Sequence, residues 1–310
     1  MMALAAARPW LMRGLTLAFF AVLLYVALRY ARTIAWHEVG QALAATPLHV
    51  LAGAIVLAAA SHATYSSFDL LGRRYTGHPL RVGQVMCVTF VSYAFNLNLG
   101  SVVGGIAVRL RLYSRLGLSY LTTTRVFTLS IVTNWFGYCL LAGVTLAFAP
   151  PQVPAERNLG TPGLRALGGA LLTVAAAYLG LCLGSRRRRF RVGRFAFRLP
   201  SMPMVGAQLA LSCSNWLTMG ALLFVLFQGR LPYHEVLGVL LVAAFAGILI
   251  HVPAGLGVLE AVFVTLLSHR LPQAQLLAVL LTYRAVYYLA PLALAAVLYL
   301  MMEFRSRPAS

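Results

Sequence analysis

The stretch "SRRRRFRVGRFAFR", residues 185–198, holds seven arginines and no acid. Apolar runs flank it at 164–184 and 204–228. Basic residues accumulate in cytoplasmic loops, so an arginine block between two apolar runs fixes the orientation of both neighbours.

The rest of the chain asks for the same solvent. Of its 310 residues, 61% are hydrophobic and 10% are charged, with a mean hydropathy of +0.82. A soluble domain carries about a quarter charged residues. Apolar runs near 20 residues without strand-like alternation point to helices in a bilayer. The expected fold is therefore an all-α polytopic membrane protein, one transmembrane domain over 1–310. The net charge of +19 comes from arginine alone. In so apolar a chain it reads as loop charge that sets topology, with no nucleic acid as partner. The acids are Glu38, Asp69, Glu156, Glu235, Glu260 and Glu303. Cys87, Cys139, Cys182 and Cys213 lie in apolar runs without CxxC spacing and read as buried thiols. Arg8 and Arg13 precede "GLTLAFFAVLLYVAL". The bulky, charged "RYARTIAWHE" that follows is unlike a cleavage site, so 14–35 reads as a retained first helix.

Working outward from 185–198, segment 164–184 runs inward and the proline-rich "PPQVPAERNLGTPG" at 150–163 lies outside. Segment 119–149 then runs outward, which places "RLRLYSR" (109–115) inside. From the other end, Arg8 and Arg13 put the N-terminus inside. Helix 1 leaves, 48–70 returns, and Arg73, Arg74 and Arg81 lie inside. Segment 82–99 therefore starts inside, yet 109–115 is inside as well. The intervening "GSVVGGIAV" cannot span, since a crossing needs about 20 helical residues. A helical hairpin that dips in and returns resolves the conflict, with a long limb at 82–99, a tip at 100–105 and a short limb near 106–117.

The second half repeats the pattern from the opposite side. Helix 204–228 goes out, 235–252 dips in, "VPAGLG" turns, and 258–270 returns outside. Segment 273–302 then crosses inward and leaves the C-terminus cytoplasmic. The result is about six full transmembrane helices plus two re-entrant hairpins (82–117 and 235–270) in inverted-topology repeats. Non-helical backbone at membrane depth must line a cavity or be buried in protein. Tip N–H groups and the dipole of the short limb would favour an anion there.

The candidate binding residues follow from this geometry. Asn96 and Asn98 precede the first tip, Gly104 and Gly105 end it, and Arg109 stands on the short limb. Pro253, Gly255 and Gly257 form the second tip, with Glu260 three residues on. Arg125 and Arg284 sit in the long helices that follow each hairpin and could hold a lipid phosphate or pair with the acids. Intramembrane charges are costly, about 2.5–3.5 kcal/mol or more on insertion scales, and need a partner or a task. Asp69 and Glu260 are the candidates for ion or proton coupling, although Asp69 with Arg73 at i+4 also reads as a plain helix pair. His62 and His251 have no partner at ligand spacing, so no metal is expected. Ser212, Ser214 and Asn215 in "LSCSNW" read as helix-packing groups. There is no nucleotide-binding motif, and no cofactor is expected.

At "VPAGLGVLEA" (252–261), "NLNLGSVVGGIAVRLRLYSRLGLS" (96–119) and "SIVTNWFGYCLLAG" (130–143) the chain resembles the lysylphosphatidylglycerol synthase/flippase transmembrane family. This is the membrane part of multiple peptide resistance factor proteins. The resemblance covers most of residues 10–305 and is strongest to the stand-alone inner-membrane subgroup of proteobacteria. Two positions depart from the family pattern: Ala254 where a second glycine is common, and Gly100-Ser101 where many members have a proline. The resemblance implies a bacterial inner-membrane location and movement of a phospholipid or other polar lipid between leaflets. Three readings stand side by side. The first is a flippase-like translocase binding an anionic phospholipid. The second is an integral-membrane enzyme or accessory of lipid head-group modification, for which Asp69, Glu260 and His251 are the only acid/base candidates. The third is a non-transporting scaffold for a lipid-synthesis enzyme. The pair of tips favours the first, and with it a protein that is not an enzyme.

The arginine distribution makes a direct prediction. In a cysteine-free background, Ser114→Cys is expected to react only from the cytoplasmic side and Arg270→Cys only from the outside. Labelling of position 270 from the cytoplasm alone would rule out the second hairpin.

Overall fold

The computed structural model describes residues 21, 25, 29, 32, 36–152, 160–185, 189–192, 195–250 and 257–305. In chain order the helices are α1 (Trp36–Ala45), α2 (Leu48–Ser66), α3 (Phe68–Thr76) and α4 (Val82–Leu99). A π-helical segment, π1 (Ser101–Ala107), leads into α5 (Val108–Arg115), followed by α6 (Tyr120–Phe148) and α7 (Thr161–Gly184). After β1 (Arg189–Val192) and β2 (Phe195–Arg198) come α8 (Met202–Leu226), α9 (Tyr233–Ile250), α10 (Val258–Leu267) and α11 (Gln273–Arg284). A second π-helical segment, π2 (Ala285–Leu289), joins α11 to α12 (Ala290–Arg305).

Six stretches among the described residues are long and apolar enough to cross a bilayer: 48–76, 82–99, 120–148, 161–184, 202–226 and 273–303. The chain is a multi-pass membrane protein. The expectation of an all-α chain needs one correction. The basic loop closes on itself as an antiparallel hairpin, β1 against β2, pairing Arg189 with Arg198 and Val192 with Phe195. Pairing across the hairpin satisfies backbone groups that a loop between two helix ends would otherwise leave to water or side chains. Helix α1 lies between the expected spans at 14–35 and 48–70, and 14–35 falls almost wholly outside the described residues.

The span at 48–76 breaks at Ser67. The hydroxyls of Ser66 and Ser67 bond back to the carbonyls of His62 and Ala63 at 2.6 and 3.0 Å, a contact that bends helices. Asp69 therefore opens α3 rather than closing a single long helix.

The first hairpin is tighter than the sequence suggests. The expected irregular tip at 100–105 is a correction: only Gly100, at φ +82°, turns the chain, and π1 begins at Ser101. A φ in that range strains any residue with a Cβ. The return limb then lies directly on α4. A Cβ on Gly104 would stand 2.2 Å from the Phe95 carbonyl oxygen, so only glycine permits the approach. In the second half α10 packs back on α9, and Gly257 at φ +78° starts α10. Pro253 and Gly255, with the rest of 251–256, lie outside the described residues. The last span differs from the expected plain helix over 273–302, because its hydrogen-bond ladder slips to π spacing directly after Arg284. Such single π turns are common at functional sites.

Small residues bring the long helices together, as packing between helices in lipid requires. A Cβ on Gly168 of α7 would lie 2.6 Å from the Ala147 backbone nitrogen of α6. One on Gly137 of α6 would lie 2.3 Å from the Ser212 side chain of α8. Gly168→Leu must push α7 off α6, since backbone cannot yield. It is expected to cost more than about 2 kcal/mol and to lower the unfolding temperature in detergent. Gly206→Ala, which meets nothing within 4 Å, is expected to leave that temperature unchanged.

Candidate functional site

The ends of both hairpins border one cavity of about 350 Å³. Helix α4 contributes Tyr93, Asn96 and Leu97, and the first turn contributes Ser101. From the second hairpin come Leu240, Gly247 and Ile248 of α9 and Val258 and Leu259 of α10. The long helices add an asparagine–tryptophan pair each: Asn134-Trp135 from α6 and Asn215-Trp216 from α8. Tyr65 and Tyr288 complete the wall. Among the described residues, no charged side chain lines it.

A chain of neutral hydrogen bonds fixes the wall from behind. Ser61 Oγ donates to Asn215 Oδ1 at 2.7 Å and lies 2.8 Å from the Tyr287 hydroxyl. Tyr287 in turn meets the Tyr93 hydroxyl at 3.0 Å. The Tyr93 ring stacks on Tyr65 with centroids 3.5 Å apart. Satisfied networks of this kind hold a buried surface in one arrangement.

The charges stand outside the cavity, paired. Asp69 and Arg109 approach to 3.5 Å, both almost fully buried, and the Tyr113 hydroxyl donates to Asp69 Oδ2 at 2.8 Å. The Arg109 guanidinium also lies over the Phe127 ring, 5.0 Å from its centroid. Glu260 takes both ends of a fork from Arg284: Nε donates to Oε1, and Nη2 donates to Oε2 at 2.9 Å. Arg284 stands over the ring of Tyr288, 5.5 Å from its centroid. Arg109 and Glu260 thus have different partners, and neither lines the cavity. The i+4 pair of Asp69 with Arg73 is replaced too: Arg73 Nε donates to the Leu80 carbonyl at 2.7 Å. The mouths of the hairpins are tied separately. Arg111 and Arg115 both bind Glu303, and Arg270 lies 3.6 Å from Glu235.

Of the other sequence candidates, Asn96 borders the cavity and leans over Gly105, where a Cβ would stand 2.7 Å from its Oδ1. Asn98 is buried and donates to the carbonyls of Ala94 and Tyr288 at 2.8 and 3.1 Å, joining α4 to π2. Gly104 is a packing residue of the hairpin. Arg125 lies apart, in a smaller cavity of about 130 Å³ with Tyr75, Tyr178 and Leu199. Gly257 sits at the N-terminus of α10, beside the cavity residues Val258 and Leu259. The aromatic lining is not among the sequence candidates; Asn215 is the packing group expected, bonded to Ser61 of α2, and it borders the cavity as well. The available signal was the Asn-Trp dipeptide, which occurs once in "SIVTNWFGYC" and again in "LSCSNW".

Taken together, these features define a polytopic membrane protein with a cavity, bordered by two helical hairpins and the long helices α6 and α8, whose described lining carries amides and aromatic rings and no charge. The chain belongs to the family described as the lysylphosphatidylglycerol synthase TM region, whose model matches residues 14–295. It is 42% identical over 294 residues to the inner membrane protein YbhN of Escherichia coli, covering 94% of this chain and 92% of that one. It is 32% identical over 251 residues to the uncharacterized protein slr0712 of Synechocystis sp., covering 79% and 77% of the two chains.

The buried Asp69–Arg109 pair sets up a stability test. Removing one partner of such a pair typically costs about 3–5 kcal/mol, whereas replacing both by apolar groups of similar size is often close to neutral. Asp69→Leu is therefore expected to lower the unfolding temperature sharply, and Asp69→Leu with Arg109→Met to recover most of the loss.

Proposed function

We propose that the protein is a flippase-like lipid translocase of the bacterial inner membrane, in which a lipid head group enters the cavity between the two hairpins while its tails stay in lipid. One observation carries this: the ends of both hairpins border the same cavity, with polar side chains facing it. The halves also match in construction. Each begins its hairpin with an 18-residue helix, turns at or beside a positive-φ glycine, returns by a short limb and continues into a long helix. That correspondence supports inverted-topology repeats with re-entrant limbs, an architecture that lends itself to alternating access. The arginine pattern supports cytoplasmic termini and a cytoplasmic 185–198 loop, which would draw anionic lipid to that face. The two intramembrane acids, Asp69 and Glu260, are the groups proposed to couple movement to a proton or ion, by exchanging their arginine partners as the halves rock. The name carried by the Escherichia coli relative supports the assigned location.

The test is lipid movement in vesicles containing the purified full chain, with acyl-labelled lipids and extraction by albumin. Gly247 borders the cavity, and a Cβ added there meets nothing within 4 Å, so Gly247→Leu is expected to fill space without unfolding the protein. Movement well above that of empty vesicles, and at least about tenfold slower in Gly247→Leu, is the expected result. No movement in wild-type vesicles that hold folded protein would remove the translocase and favour the enzyme or scaffold.

A further inference from the structure

The cavity's chemistry bears on what kind of head group it takes. Among the described residues its polar side chains are carboxamides, hydroxyls and an indole, and the Asp69–Arg109 and Glu260–Arg284 charges are held in pairs outside it. Two donors lie unused, or nearly so, in the packing behind the wall. Trp216 is 7% exposed, and its indole N–H has no acceptor. Asn215 spends its oxygen on Ser61, while its amide nitrogen reaches only the Met219 sulfur at 3.8 Å, a weak acceptor. Asn96 and Asn134 place two more carboxamides on the lining, each able both to donate and to accept. Carboxamides on such a lining cost free energy when an apolar group covers them, and a ligand of matching pattern recovers it.

Among the described residues an anionic group meets no cationic side chain on this wall, only the first N–H groups of α10. A phosphate stripped of water needs a counter-charge, and the arginines nearest in sequence and fold are already committed to Asp69 and Glu260. Amide oxygens would face it as readily as amide N–H groups. A bare ammonium would lack a carboxylate. A hydroxyl-rich, uncharged group satisfies both halves of the pattern, because every hydroxyl donates one hydrogen bond and accepts others. Its C–H faces also match the Trp135 and Trp216 rings. The volume of about 350 Å³ lies in the range of small-molecule pockets and leaves room for one sugar ring or a glycerol unit.

We infer that the cavity selects lipids whose terminal head group is an uncharged polyol, glycosyl or glyceryl, with any phosphate of that lipid left outside the Asn96–Asn134–Trp216 wall. This names the substrate class for the translocase described above and rests on treating that cavity as the head-group site.

The test uses the full chain with Trp10→Phe and Trp36→Phe, so that only Trp135 and Trp216 report. The protein is placed in phosphatidylcholine nanodiscs and titrated with glucosyl-diacylglycerol, phosphatidylglycerol or phosphatidic acid of identical acyl chains. Saturable fluorescence changes are expected for the first two, at least about tenfold tighter than for phosphatidic acid. Methyl glucoside should compete if the sugar itself is read, and glycerol phosphate should not. Asn134→Leu should weaken binding of the polyol lipids about tenfold, while Asn134→Gln, which keeps the amide, should retain most of it. Equal or tighter binding of phosphatidic acid, or polyol binding indifferent to Asn134→Leu in folded protein, would overturn the inference. The two claims fail separately. Polyol binding in a protein that moves no lipid refutes translocation alone. Lipid movement indifferent to head group refutes polyol selection alone.

Discussion

An ionised group in hydrocarbon must meet its counter-charge inside the protein, and two such meetings organise this molecule. Asp69–Arg109 fastens the start of α3 to the return limb of the first hairpin. Glu260–Arg284 fastens the return limb of the second to the long helix that follows. In both, one member stands on a short limb, so each hairpin is pinned where it turns back. The consequence for chemistry is indirect but strong. With those charges committed to one another, the described lining of the space between the hairpins consists of amides, hydroxyls, aromatic rings and aliphatic side chains.

Backbone proximity does the rest. Gly104 lets π1 lie against the Phe95 carbonyl, and Gly100 provides the single positive φ that reverses the chain. Gly137 and Gly168 hold α6 against α8 and α7 at distances no larger residue allows. The π turn after Arg284 shifts the ladder at the point where that helix carries both the ion pair and the cavity residue Tyr288. A ladder with a built-in slip is a natural place for the helix to change its arrangement, since the energetic difference between π and α spacing is local.

Much of the span pattern was legible in the amino-acid order, because hydrocarbon imposes length and polarity on every crossing segment. The limbs at 82–99 and 235–252 were placed closely for that reason. Local chemistry was less legible. Partner choice among Asp69, Arg73, Arg109, Glu260 and Arg284 depends on which helices touch, and no spacing in one sequence encodes that. Asp69 and Arg73 share α3 at i+4, yet Arg73 turns to the Leu80 carbonyl while Asp69 meets Arg109 and Tyr113 from the return limb. The cavity's aromatic wall was obscured for a similar reason. A tryptophan in a membrane helix reads first as an interfacial anchor, and only the duplicated Asn-Trp pair hinted at a shared site.

The central claim is that a lipid head group occupies the space between the two hairpins. A structure of the full chain determined in nanodiscs of bacterial lipid tests it most directly. The account predicts head-group density against Asn96, Asn134 and Trp216, continuous with acyl chains leaving between helices, while Glu260–Arg284 and Asp69–Arg109 remain paired in that state. A cavity filled by acyl chain alone, or hairpins drawn apart with the ion pairs exposed to lipid phosphate, would contradict it.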